Sequence, residues 1–374
     1  MRSNEFENWQ RENEFQIRCR KEGIMKLEEA CEQVFARHET FHPRFGWIGK
    51  AYRGGIQDEI ATGFFNSDEV VVELGVGRNM VKSIRYWGQA YKILETQKID
   101  GSRLTRSIPS PIGTAMLGRS TTGDQMGFDP YCELPGTLWL YHWWLLAPRS
   151  EAPVWWLTFM EFPGVEFTSE ELELFVEDRL SQFGSPPLAA IKKDVSCLLR
   201  MYLAENRQQS TRSTFDDVID SPFRELGLIQ PSVSQPGALR FQIGAKPSLP
   251  PLVLAFACVD YLERVVPGSR AVSIASLMHT PGAPGRAFKL TELAIEEGLR
   301  EASKQSDLIR LVNQSGSNQL YLEAPAAQVG DHLLRLHYSS LGWVGEIDGF
   351  APVTGWGGDI EPQSDLVDAN EGVA

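Results

Sequence analysis

The stretch that most restricts the fold runs from Ser67 to Glu95, SDEVVVELGVGRNMVKSIRYWGQAYKILE, where two helical patterns are separated by two glycines bracketing one apolar residue. Ser67 suits an N-cap, and Asp68 and Glu69 fall in the first turn, where a helix N-terminus favours acids. Gly75 and Gly77 allow a tight turn, and Val76 between them can plug the space between two helices meeting steeply. In the second helix Met80, Ile84, Trp87, Tyr91 and Leu94 recur at steps of four, three, four and three, which predicts one buried face. At about 100° per residue, Arg78, Lys82, Arg85 and Gln89 lie on the opposite side, with Asn79 beside them. These side-chain types pair with phosphates or with base edges in a major groove. Leu104 to Gly118 has the turn residues and short apolar pieces of a wing or small sheet. The expectation is a winged helix-turn-helix that contacts DNA, with Lys50 and Arg53 just upstream as further contacts. Winged helices also serve as protein-binding modules, so a noncatalytic adaptor or transcriptional regulator is the alternative use of the same unit.

A net charge of −13 looks hostile to nucleic acid until it is divided along the chain. Gly77 to Arg106 holds seven basic residues against Glu95 and Asp100, a local +5. Glu346 to Ala374 holds seven acids and no Lys or Arg, so the tail supplies over half of the net negative charge. The overall balance therefore says little about the local surface. Such a tail is expected to be disordered and solubilising, and it can compete with DNA for the basic helix.

The five cysteines (Cys19, Cys31, Cys132, Cys197, Cys258) are odd in number, widely spaced and form no CxxC pair, which argues against a disulfide framework or a zinc knuckle. The polar start MRSNEFENWQ lacks the apolar stretch of a signal peptide, and no run approaches the roughly 20 apolar residues of a membrane span. A cytoplasmic protein without membrane association is expected. Nothing in the sequence specifies an oligomeric state.

The expected fold class is mainly α with small β wings (α+β), in five parts. Residues 1–37 form a leading amphipathic helix (Ile24, Leu27, Ala30, Val34), and residues 38–130 the winged helix-turn-helix. Residues 131–275 form a Trp-rich, mainly helical domain with helices over Ser169–Phe183, Leu188–Ala204 and LPPLVLAFACVDYLER, and an extended connector from Gln230 to Pro251. Residues 276–345 are a candidate second winged helix, read as a helix on Leu290, Leu293 and Leu299, a second helix on Leu308, Ile309 and Val312, and a polar turn into NQLYLE. Residues 346–374 are the acidic tail. Trp139, Trp143, Trp144, Trp155 and Trp156 could stack on unpaired bases, but their apolar neighbours favour a core role.

For catalysis the leading candidates are His38, Glu39 and Arg44, which offer a base, an anionic ligand and a cation within seven residues. His38, Glu39 and His42 match the HExxH string of zinc peptidases, but Pro43 pushes His42 away from the helical geometry that motif requires. The alternative is a structural cluster packed under Phe45 and Trp47. Lys192, Lys193 and Arg200 can extend a phosphate-binding surface or form a solvated helix face. Asp194, Asp216 and Asp217 are secondary candidates for holding magnesium if the fold assembles them. GVGRNM lacks the lysine of a P-loop, so no nucleotide cofactor is indicated, while magnesium or manganese is the candidate cofactor for strand cleavage.

At these same residues the chain resembles a bacterial family, domain-of-unknown-function family four thousand and seven. The resemblance rests on HETF with Arg44, on FGWIGKAY and LGVGRNMVKSIRYW, and more loosely on KKDVSCLLRMY and SPFRELGLI, and it runs from about His38 to Glu323. It implies a place in DNA phosphorothioation or a related phage-defence system, alongside other defence proteins as partners. One branch, the SspB-like proteins, is regarded as a DNA-nicking component, which implies a divalent-metal-dependent endonuclease.

Overall fold

A computed structural model describes residues 25–99, 104–118, 127–203, 221–314 and 316–344. Over its described part, from Met25, the leading segment forms one helical turn, α1 (Leu27–Ala30), and does not continue as helix to Val34. At Cys31 the chain turns extended and runs parallel beside Ser150, with Glu32 N–H donating to Ser150 O at 2.9 Å and Ser150 N–H to Ala30 O at 2.8 Å. Tertiary pairing has overridden a local helical pattern.

Helix α2 (Trp47–Ile60) follows, then a 3-10 turn (Phe64–Asn66), α3 (Glu69–Leu74) and α4 (Arg78–Ala90). Strands β1 (Leu94–Lys98) and β2 (Thr105–Pro109) pair antiparallel, with Leu94 opposite Pro109 and Lys98 opposite Thr105. Helix, helix, turn, helix, hairpin is the element order of a winged helix. Gly75 ends α3 in the left-handed region at φ 62°, a backbone conformation that favours glycine, and half-buried Val76 packs into the core between the helices. Helix α4 is one turn shorter than its apolar pattern. Lys92, at φ 62°, reverses the chain, and Leu94 enters β1 while its side chain stays in the same core.

Helix α5 (Pro111–Leu117) leads to the Trp-rich region: α6 (Pro135–Leu145), α7 (Pro153–Trp156) with a wider π turn over Leu157–Glu161, β3 (Glu166–Phe167), α8 (Ser169–Leu180) and α9 (Leu188–Tyr202). Thr168 and Glu171 form a reciprocal capping box that starts α8. Trp139, Trp143, Trp144, Trp155 and Trp156 are each at most 1% exposed, so these indoles are core and not stacking platforms. Parts of the expected connector after Gln230 enter a small sheet, and the rest up to Pro250 has no regular secondary structure. Strands β4 (Ile229–Pro231) and β5 (Leu239–Phe241) join β3 in the order β3-β5-β4, covering Phe167 and Phe241.

Helix α10 (Pro251–Val265) precedes β6 (Ala271–Ser273), α11 (Ile274–His279), α12 (Pro284–Ala287), α13 (Glu292–Ser303), β7 (Ile309–Gln314), β8 (Ser317–Leu322) and α14 (Ala326–Ser340). The sheet order β6-β8-β7 places the early strand beside the last one, again the plan of a winged helix. Residues 308–312 are not the helix that their apolar spacing suggests. Ile309 to Gln314 form β7, paired residue by residue with Ser317 to Leu322 across a turn at Gly316. One continuous apolar core runs from Leu27 to Tyr338. Residues 1–24 of the leading segment and the acidic stretch 346–374 lie outside the described residues. Among the described residues no helix is long and apolar enough to cross a membrane.

Candidate functional site

Helix α4 buries Val81, Ile84, Tyr86, Trp87 and Ala90 and turns Arg78, Asn79 and Lys82 to solvent. Arg78 is held at the start of the helix, bonded to the Asp68 carboxylate and donating to Ser67 O at 2.6 Å. Further along, the polar face leans on the hairpin. Arg85 is half-buried, its Nε donating to Ser107 Oγ at 2.9 Å and its guanidinium lying 5.6 Å from the Phe65 ring. Gln89 Nε2 donates to Thr96 Oγ1 at 2.8 Å. Buried Asp58 ties the same strand to α2 by accepting from Ser107 N–H at 2.6 Å. Arg85 and Gln89 therefore orient the hairpin against α4, whereas Asn79 and Lys82 stand clear of it. Of the upstream pair, Lys50 donates from Nζ to Leu74 O at 2.8 Å and caps the end of α3, and Arg53 is exposed on α2.

His38 is enclosed in the core, whereas Glu39 is partly exposed. His38 is fully buried, ringed by Tyr86, Trp87 and Trp155 at 5.8–6.2 Å between ring centroids, and its Nε2 donates to Asp194 Oδ1 at 2.6 Å. Asp194, on α9, also accepts from Ala36 N–H at 3.0 Å. Burial pushes its carboxyl above the usual range, and the His38 ring and the Ala36 amide counter that shift. A second tether holds the following residues: Phe41 O accepts from Trp87 Nε1 at 3.0 Å and from Ser83 Oγ at 3.4 Å. Between these two anchors Glu39 and Thr40 both adopt positive φ, 49° and 67°, which side-chain-bearing residues rarely do and which surrounding structure must enforce. The forced turn puts the Glu39 carboxylate 3.4 Å from Lys82 Nζ on α4, and Thr40 O 2.6 Å from Arg200 Nη2 on α9. The Arg44 guanidinium lies 6.0 Å from the Phe41 ring and 5.7 Å from Trp47.

Asp194 is thus the residue that anchors His38 from 156 positions away, a pairing that no local pattern announces. Asp216 and Asp217 lie outside the described residues. Among the described residues no three His, Cys, Asp or Glu side chains come together as a metal site. What the arrangement offers chemically is a rigid surface turn bearing one carboxylate between cations of two helices, beside a helix whose exposed face carries only neutral and positive groups.

Residues 35–338 match the family model described as a protein of unknown function, DUF4007. Two solved structures are similar. One is described as an SspB crystal structure, with 35% identity, a TM-score of 0.75 and coverage of 85% of this chain and 91% of that one. The other is described as a magnesium ion-bound SspB crystal structure, also at 35% identity and a TM-score of 0.75, covering 84% and 91%. No curated protein sequence matches. With a family model spanning most of its length, and with solved relatives that share both its fold and a third of its residues, the chain belongs to the DUF4007 family.

Proposed function

We propose that this protein is the DNA-binding component of a phosphorothioation-linked or related phage-defence system, and that it grips duplex DNA through the exposed side of α4. The observation that carries the reading is the charge of that helix. Arg78, Lys82 and Arg85 are its ionisable side chains apart from Tyr86, and it carries no acid in a chain of net charge −13. It is also the third helix of a helix-turn-helix with a following hairpin, the element that enters a major groove in such units. Kinship with SspB supports the defence setting.

Strand nicking belongs to the same reading, with Glu39 as the group that meets the reacting strand. Its carboxylate is partly exposed and can accept a proton from an attacking water, while Lys82 beside it faces the charge that develops on phosphate. His38 and Asp194 have no path to that strand and act by fixing the turn. Magnesium or manganese is the ion to supply, following the magnesium-bound relative.

The test is a titration of labelled duplex with the wild type and with Arg78→Ala and Lys82→Ala across a range of salt. Each lost phosphate contact should lower the magnitude of the salt slope by about 0.9. Unchanged affinity and slope in both variants would refute the DNA-binding reading. Supercoiled plasmid incubated with magnesium or manganese tests the chemistry, and duplex binding without relaxation would leave the noncatalytic adaptor or regulator.

A further inference from the structure

The amphipathic helices differ sharply in the charge they carry. Helix α8 carries five acids and one arginine, and α13 carries four acids and one arginine. Helix α9, in contrast, carries Lys192, Lys193 and Arg200, all exposed, and a single acid, Asp194, which is 3% exposed and bonded to His38. The outward charge of α9 is therefore +3 with no exposed acid, and α4 likewise turns outward two cations, Arg78 and Lys82, and no acid.

The two basic helices meet at one place. The Glu39–Thr40 turn touches Lys82 of α4 through its carboxylate and Arg200 of α9 through its carbonyl. Lys193, Ser196 and Arg200 recur at steps of three and four, so they share one face of α9, with Lys193 and Arg200 about 10.5 Å apart along the axis. Arg200 is further braced where it stands, because its backbone carbonyl accepts from Arg224 Nε at 3.1 Å.

Resting on the assignment of α4 to DNA, we propose that α9 is the second half of the same contact surface. A strand held at Arg78 and Lys82 passes over the Glu39–Thr40 turn and is held again at Lys193 and Arg200. The contacts from α9 go to phosphates and carry no base preference, since lysine and arginine spaced along a helix face outside the helix-turn-helix meet the backbone and not a groove floor. The pairing of Asp194 with His38 serves this surface as well as the core, because it withdraws from α9 the one carboxylate that would repel a phosphate.

The experiment uses the full chain and a 30-base-pair duplex, with anisotropy titrations from low to moderate salt. The arms are wild type, Lys82→Gln, the pair Lys193→Gln with Arg200→Gln, and the pair Lys192→Glu with Lys193→Glu, which leaves the Arg200 bond to Thr40 intact. Each α9 pair should weaken binding by the same factor on unrelated duplexes, and losing both contacts in the glutamine pair should lower the salt slope by about 1.8. Circular dichroism melts report whether either pair disturbs the fold. Wild-type affinity and slope in both α9 pairs, with Lys82→Gln weakened, would remove α9 from the surface and leave the α4 reading standing. Wild-type behaviour in every variant would overturn both. Weakening confined to one duplex sequence would overturn the assignment of α9 to phosphates.

Discussion

Replacing His38 by alanine separates a structural anchor from a reacting group. In the wild type the ring is fully enclosed and its Nε2–H donates to a carboxylate whose side chain is only 4% exposed. Losing a hydrogen bond to a charged group costs roughly 1.5–3 kcal/mol, and stranding the other member of a buried pair raises this to about 3–5 kcal/mol. Asp194 keeps the Ala36 amide, which places the expected loss near the lower end, about 3 kcal/mol. That is about two decades in the folded-to-unfolded ratio. Glu39→Gln removes one surface contact to Lys82 and should change stability by no more than about 0.5–1 kcal/mol. Urea unfolding followed by tryptophan fluorescence measures both, since Trp87 and Trp155 flank His38. Plasmid relaxation is then measured on whichever variants stay folded, and Glu39→Gln should abolish it at undiminished stability. A His38→Ala protein as stable as wild type would refute the anchor, and stable Glu39→Gln protein that nicks at the wild-type rate would remove Glu39 from the chemistry.

Two further outcomes concern the framework around the site. Burial pushes His142 and His337 down to about 4, so the unfolded chain takes up protons first as the pH falls below the ordinary value of about 6.5. Their contribution is therefore complete above about 6.5 and is lost as the pH drops toward 4, about 2 kcal/mol per histidine between pH 7 and 5. Unfolding midpoints measured across that window check this, and a His142→Phe variant with an undiminished pH slope would contradict it. Gly113, in the first turn of α5, lies so close to the hairpin that an added Cβ would sit 2.2 Å from Ile93 O. Gly113→Ala should cost about 1–3 kcal/mol or more, because the opposing atom is backbone and cannot swing aside, and an unchanged melting temperature would show that the contact is not close.

Much of the first unit was legible because its signals are local. Gly75 takes the left-handed conformation, Val76 fills the gap between helices, and the buried stripe of α4 follows from a period of 3.6. Helix α2 was harder to see because Gly49, Gly54 and Gly55 weigh against a helix, whereas in the fold the bare backbone of Gly54 and Gly55 lets Phe65 and Leu94 lie against it. Leu308, Ile309 and Val312 fit a helical spacing over so short a run that only the pairing of β7 with β8 decides for a strand. The site itself divides in the same way. Exposed Arg78 and Lys82 follow from helix periodicity, but the separation of His38 from Glu39 depends on two consecutive left-handed residues and on Asp194, and nothing in HETFH encodes either.

The bond between Arg200 and Thr40 spans 160 residues, and the one between His38 and Asp194 spans 156. The first unit is therefore not portable. A fragment covering residues 38–130, fused to another enzyme or screened alone, would carry the helix-turn-helix and its hairpin but leave behind the groups that shape the turn at its edge. Such a graft would inherit the grip of α4 without the geometry of Glu39. Transplanting both would require carrying the chain through α9, and with it most of the tryptophan core.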